Sequence, residues 1–139
     1  RPGAVMPLAV VQPVSHGASG ICFFGTAGHP RPLLCDGESG RIRALGGHDL
    51  LLGIEPYQPK EMCHTFTDNE RMLLYTDGIL DAVNDSNDFF GPQRLRGVIA
   101  DCPRCGPDQL AEAVFRTIDE FRGQAPPQDD ETVVVVDRL

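Results

Sequence analysis

The stretch "LLYTDGILDAVND", residues 73–85, opens as an apolar run and then breaks into Asp77-Gly78. Together with the residues ahead of it, "RMLLYTD" (71–77) reads as a strand, and its apolar content predicts cover on both faces. A carboxylate carried to the end of such a strand is expected to be desolvated, which is tolerated only where a cation or hydrogen-bond donors meet it. A second stretch raises the same question. "TVVVVD" (132–137) is too uniformly apolar for a wet surface, and Asp129-Asp130 stand just before it. Hard divalent cations such as Mg²⁺ or Mn²⁺ take oxygen ligands of this kind, and a strand end holds a ligand more firmly than a mobile loop. If the two strands are neighbours, Asp77 and either Asp129 or Asp130 share one ion. A plainer reading stands beside it: Asp-Gly is a common turn, and acids ahead of a strand often only cap or solvate it.

Outward from that stretch, the first part of the chain reads as strands and turns. "AVMPLAVVQPV" (4–14) and "ICFFGTAG" (21–28) flank the turn cluster "SHGASG" (15–20), the pattern of a hairpin. "PLLCD" and "RIRAL" flank a second turn at Gly37 to Gly40. "LLLGIEP" and "EMCHTFT" follow as shorter strand candidates, and the turn "DNE" (68–70) leads into "RMLLYTD". Helical signals come only later. "GPQRLRGVIADC" (91–102) has Pro92 near its first turn and Leu95, Val98 and Ile99 at helical spacing. In "PDQLAEAVFRTIDEFRG" (107–123), Leu110, Val114, Ile118 and Phe121 line one face and Arg122-Gly123 closes the helix. Strands first and helices later, in one domain spanning 1–139, predict an α+β fold with layered sheets.

Composition excludes several classes of function. With 12 basic and 20 acidic side chains the net charge is −8 and the pI about 4.8, so the chain repels a phosphate backbone and nucleic acid is not its partner. No apolar run approaches the roughly 20 residues of a membrane span, and the start of the chain shows no charged-then-apolar signal pattern, so a cytoplasmic protein is expected. Five cysteines, Cys22, Cys35, Cys63, Cys102 and Cys105, are odd in number and scattered, unlike the paired framework of a secreted domain. The first residue is Arg1 rather than a Met, from which a piece of a longer protein is expected.

Four segments carry a resemblance. "AGHPRPLL" (27–34), "LLYTDGILDAVND" (73–85), "FFGPQRL" (89–95) and "DDETVVVV" (129–136) resemble, in order and rough spacing, the metal-dependent protein serine/threonine phosphatases of the bacterial SpoIIE-like branch, relatives of the type 2C phosphatases. The resemblance runs from about residue 5 to the C-terminus. It implies a layered β-sandwich flanked by helices, with a site for two Mg²⁺ or Mn²⁺ ions at one edge. "YTDG" is similar to the segment whose Asp binds metal, which implies Asp77. "DDET" is similar to the acidic pair before the last strand, which implies Asp129, with Asp130 in reserve. The implied activity is hydrolysis of a phosphoserine or phosphothreonine on a regulatory protein, such as an anti-sigma-factor antagonist, by a metal-activated water. The family's Gly-Asp-x-x-Asp and Asp-Val-x-Gly-His-Gly motifs are absent from this sequence. The expectation is therefore the C-terminal half of such a domain, inactive alone, which seeks the missing N-terminal half or self-associates. The rival is a non-catalytic, phosphatase-like binding module.

The remaining motifs carry less. "CPRC" (102–105) has the spacing of a zinc or redox motif, but no second pair supplies four ligands, and it is expected to be a connector between helices, with a redox role as the alternative. His16, His29, His48 and His64 show no paired-ligand spacing, and His29 within "AGHP" is read as structural. "GASG" (17–20) lacks the Lys-Ser/Thr ending of a phosphate loop, and no Gly-x-Ser-x-Gly elbow marks a nucleophile. Arg94, Arg96 and Arg104 are open to two readings, contact with a phosphoprotein or ordinary solvated helix faces.

Overall fold

Alternation of apolar residues along the strands separates two faces, and each face finds its own cover. The computed structural model describes residues 8–12, 19–25, 29–46 and 62–137. Among the described residues, seven strands, β1 (Leu8–Gln12), β2 (Ser19–Gly25), β3 (Leu33–Asp36), β4 (Ile42–Ala44), β5 (Met62–Thr67), β6 (Glu70–Tyr75) and β7 (Val133–Asp137), accompany three helices, α1 (Asp77–Asp81), α2 (Gly91–Asp101) and α3 (Pro107–Arg122). The strands form a three-stranded sheet in the order β1-β2-β5 and a four-stranded sheet in the order β4-β3-β6-β7, antiparallel throughout. Both expected hairpins are present as β1–β2 and β3–β4. The turn at Asp68–Asn69 carries the chain from one sheet into the other, because β5 pairs with β2 whereas β6 pairs with β3 and β7.

Register decides what each side chain meets, since residues directly opposite on antiparallel strands share a face. Leu33 lies opposite Leu73, and Leu73 opposite Val135. These side chains face the helices, in a cluster with Tyr75, Ile79, Phe90, Leu95, Ile99, Leu110, Val114 and Ile118. One residue along, Leu34 lies opposite Met72 and Met72 opposite Val136, on the other face. There they join Cys22, Leu45 and Phe66 between the two sheets. The architecture is thus sheet, sheet and helices in three layers, the expected layered sandwich. Strand β6 is covered on both faces, as its composition predicts.

The two long helices follow their sequence signals. The α2 residues Leu95, Val98 and Ile99 are buried, and Arg96 donates to the Ile42 carbonyl at 2.8 Å, fastening the helix to β4. Leu110, Val114 and Ile118 of α3 are wholly buried, and the Gln109 side chain accepts the Gly106 amide at 2.9 Å to close the first turn. Phe121 packs edge-on against Phe90 with ring centroids 5.5 Å apart. Gly123 ends α3 at φ 64°, a left-handed conformation that favours glycine.

Three expectations are corrected. Residues 77–81, read from the sequence as following a strand without a helix, form α1, a single turn too short to show periodicity. "TVVVVD" is not enclosed: β7 is an edge strand of its sheet, and Val134 keeps 49 % of its surface exposed. "CPRC" is more than a connector, because Cys102 and Cys105 form a disulfide. The candidates "LLLGIEP", His16 and His48 lie outside the described residues, as does most of "SHGASG" apart from Ser19 and Gly20, which begin β2. Among the described residues no helix is long and apolar enough to cross a membrane.

Candidate metal centre

The expected neighbours are neighbours. β6 and β7 pair from Arg71↔Asp137 to Tyr75↔Val133, so "YTDG" leaves the sheet where "DDET" enters it. Beyond the last pair the two segments are sewn together. The Thr76 amide donates to the Thr132 carbonyl at 3.1 Å, the Thr76 hydroxyl donates to the Asp130 carbonyl at 2.8 Å, and the Thr132 amide donates to the Thr76 hydroxyl at 2.9 Å. Gly78 completes the seam. A methyl group built on it would lie 2.5 Å from the Asp130 carbonyl oxygen, closer than real side chains come, so only glycine lets the two backbones approach this far. The residues on both sides of Asp77 therefore touch the Asp129–Thr132 backbone, 54 residues away along the chain at the Thr76–Asp130 contact.

Glu131 faces inward from the same loop and pairs with the Arg122 Nη2 of α3, whose Nη1 reaches Asp119 at 2.9 Å. Arg122 is 8 % exposed, and its Nε is buried without a partner among the described residues. This pairing ties the loop ahead of β7 to the helical layer. Sequence reasoning assigned Thr76, Gly78, Arg122 and Glu131 no role in joining the acidic segments. The Thr-Asp-Gly order was visible, but nothing in it shows that the threonine and glycine serve a distant loop.

The acids themselves differ from expectation. Asp77, Asp129 and Asp130 are exposed rather than desolvated, since their backbones end the strands while their side chains face outward at the sheet edge. Among the described residues none of the three takes part in an ion pair. Asp129 Oδ1 accepts the Asp130 amide at 2.8 Å, which orients that carboxylate. Asp77 occupies the first turn of α1, where backbone amides favour a negative charge. Burial pushes the neighbouring Tyr75 phenol above its ordinary pKa, so it stays neutral within the helix-facing core. The donor set suits a hard cation in kind: carboxylate oxygens, uncompensated, on braced backbone. It is incomplete in number, because no group of three or more His, Cys, Asp or Glu side chains placed to hold an ion occurs among the described residues.

The other candidates have structural work. Arg94 donates to the Phe89 and Phe90 carbonyls at 2.9 and 3.0 Å and lies over the Phe121 ring at 4.5 Å. His64 pairs with Glu70 at 3.1 Å. His29 is half-buried, with Nδ1 enclosed and unpartnered among the described residues. Arg104 remains exposed.

Two stacked antiparallel sheets with helices against one of them, and acidic segments meeting at one sheet edge, define the class: the type 2C phosphatase fold. Solved structures agree. The PP2C domain of SiaA from Pseudomonas aeruginosa matches with a TM-score of 0.72 at 22 % identity, over 86 % of this chain and 51 % of that one. The phosphatase domain of SpoIIE from Bacillus subtilis, presoaked with Mn, matches with a TM-score of 0.66 at 14 % identity, over 94 % and 56 % of the two chains. A Mycobacterium tuberculosis structure of RsbU and RsbW domains matches with a TM-score of 0.66 at 22 % identity, over 84 % and 32 %. The chain thus spans about half, or less, of the length of these structures. No curated protein matches it. Residues 6–139 match the family Stage II sporulation protein E (SpoIIE), and the chain belongs to that family.

Proposed function

We propose that this chain contributes one acidic wall of a metal-dependent protein serine/threonine phosphatase site, acting on a phosphoserine or phosphothreonine of a regulatory protein such as an anti-sigma-factor antagonist, in the cytoplasm. The observation that carries the reading is the seam of Thr76 and Gly78 against Asp129–Thr132, which holds two uncompensated acidic segments together at one sheet edge. Asp77 and Asp129 would hold Mg²⁺ or Mn²⁺, with Asp130 in reserve. A divalent ion, when bound, lowers the pKa of its water and neutralises phosphoryl oxygens. What the chain supplies is position. Thr76 fixes the depth of the Asp129-Asp130 loop against β6, the Asp130 amide turns the Asp129 carboxylate, and Arg122 anchors Glu131 so that the two acids ahead of it point outward. One structural relative carries RsbU and RsbW domains and another a PP2C phosphatase domain with part of a regulatory domain, which supports a regulatory setting. The absence of a third ligand among the described residues supports a site completed by further chain, the N-terminal half of the domain.

The test is hydrolysis of a phosphoserine protein with added Mn²⁺, run on residues 1–139, on a longer protein that also carries the family's two N-terminal motifs, and on its Asp77→Asn form. Turnover by the longer protein alone is expected. Robust turnover by residues 1–139, or an Asp77→Asn protein as fast as its parent, sinks the assignment. The rival reading, a non-catalytic binding module favoured by the incomplete ligand set, predicts silence from all three and phosphoprotein binding that ignores Mn²⁺.

A further inference from the structure

The segment "CPRC" joins α2 to α3 and takes no part in the acidic edge. Its two cysteines are bonded to each other, three residues apart in sequence with Cα atoms 5.4 Å apart. Both are half-buried, and Pro103 and Arg104 between them are exposed, so an incoming thiolate has access. A crosslink across so short a loop restricts the unfolded chain very little, so stabilisation is a poor reason for its presence. The two sulfurs also occupy unlike electrostatic positions. Cys102 caps the C-terminus of α2, where carbonyls gather negative partial charge, whereas Cys105 stands just ahead of Gly106, the N-cap of α3, where amides gather positive partial charge. Arg71 strengthens the contrast. Its Nη1 lies 3.6 Å from Cys105 Sγ, and the guanidinium also donates to the carbonyls of Cys102 and Cys105. Asp137 holds it there through Nε and Nη2, both at 2.6 Å. Positive surroundings favour a thiolate over a thiol.

We propose that Cys102 and Cys105 form a thiol–disulfide exchange site for a low-molecular-weight thiol/disulfide couple, with Cys105 as the sulfur released first. In the reducing direction a thiolate of the couple attacks Cys102 Sγ. The Cys102–Cys105 bond breaks and its electron pair goes to Cys105, which leaves as a thiolate beside Arg71; the sulfur that better bears charge is the better leaving group. A second thiolate then attacks the couple's own sulfur in the mixed disulfide, forming the couple's disulfide and releasing Cys102. Two electrons pass from two thiols to the protein disulfide, and the two protons those thiols shed return to the protein sulfurs or to solvent. The reverse sequence oxidises the pair.

The experiment places the 139-residue chain in buffers of graded reduced-to-oxidised glutathione ratio, quenches with acid, alkylates, and reads each cysteine by peptide mass spectrometry. The expected result is one reversible two-electron transition of Cys102 and Cys105 in the native protein, with Cys22, Cys35 and Cys63 unpaired throughout. In the reduced chain at pH 7, Cys105 is expected to react with iodoacetamide several-fold faster than Cys102, because its larger thiolate fraction outweighs the lower nucleophilicity of a stabilised thiolate. Arg71→Met brings the two rates together and Arg71→Lys keeps them apart. If Arg71→Met fails to fold, the wild-type rate ratio and the Arg71→Lys form decide. A pair reducible only after denaturation is a structural staple, and a pair that stays reduced in excess oxidised glutathione is a plain connector; either overturns the proposal. So does a Cys105 that reacts no faster than Cys102.

Discussion

At one end of the β6–β7 ladder Asp137 faces Arg71, with two nitrogen–oxygen distances of 2.6 Å and both side chains largely enclosed. At the other end Asp77, Asp129 and Asp130 stand exposed, without an ion pair among the described residues. The same two strands therefore present carboxylates in opposite states. At the paired end Asp137 keeps the Arg71 guanidinium charged above its already high ordinary pKa, and each carboxylate oxygen meets a guanidinium nitrogen inside the fold. At the open end three exposed carboxylates flank a tightly sewn backbone seam, with no ion pair among the described residues. A carboxylate that serves the fold brings its cation with it. On the proposed reading, the carboxylates at the open end take theirs from outside.

The sharpest way to break this comparison is to neutralise one acid at each end. In a longer protein with both halves of the domain, Asp77→Asn is expected to lower Mn²⁺-dependent turnover by more than the roughly 10–100-fold that supporting residues around a metal cost, with the thermal midpoint unchanged or slightly raised. Asp137→Asn is expected to do the reverse, costing about 3 kcal/mol in urea unfolding because it strands the largely buried Arg71 charge, with metal dependence retained. If the two variants behave alike, the distinction between the ends is wrong.

Gly78→Ala probes the seam. The added methyl meets the Asp130 carbonyl at 2.5 Å, and the backbones must part, at about 1–3 kcal/mol in stability and with weaker Mn²⁺ affinity by calorimetry on the longer protein. A variant as stable as its parent would show that the two segments are not in contact. Thr76→Val removes the hydroxyl that both donates to Asp130 and accepts from Thr132, and about 1 kcal/mol is expected from denaturant midpoints.

The smallest effect lies in the exposed β3–β4 turn, one strand over from the paired end. The Ser39 hydroxyl at 2.7 Å, with the Glu38 and Ser39 amides, holds the Asp36 carboxyl below its ordinary pKa. A depressed carboxyl stabilises the fold above the unfolded value, near pH 4, and that contribution fades as pH falls through the native value. Asp36→Asn should therefore flatten the acid limb of the stability curve, slightly, while leaving activity alone. A stability profile identical to the parent's below pH 4 would remove Asp36 from the turn.

Much of the fold was legible because it is local. The 3.6-residue spacing of Leu110, Val114 and Ile118 needs nothing but the helix's own geometry to select a buried face, and all three are fully buried. The apolar run ending at Tyr75 required a strand covered on both faces, and Met72 and Leu73 are each 1 % exposed, on opposite sides. Of the candidate site, the acids were legible as residues, not as a set. Their exposure was misread because an apolar strand says where its own side chains go and nothing about the residue that follows it.

What the sequence by itself determined is the alternation, the helical faces, the turns and the four segments that resemble the SpoIIE-like phosphatases, all of which act over a few residues or one element. Only the tertiary structure decided that β7 lies beside β6 at an edge, that Thr76 and Gly78 receive a loop 54 residues away, and that Cys102 bonds Cys105 beside Arg71. Those contacts depend on how layers stack and in which register strands meet. Register is set by the sum of packing on both faces of a sheet.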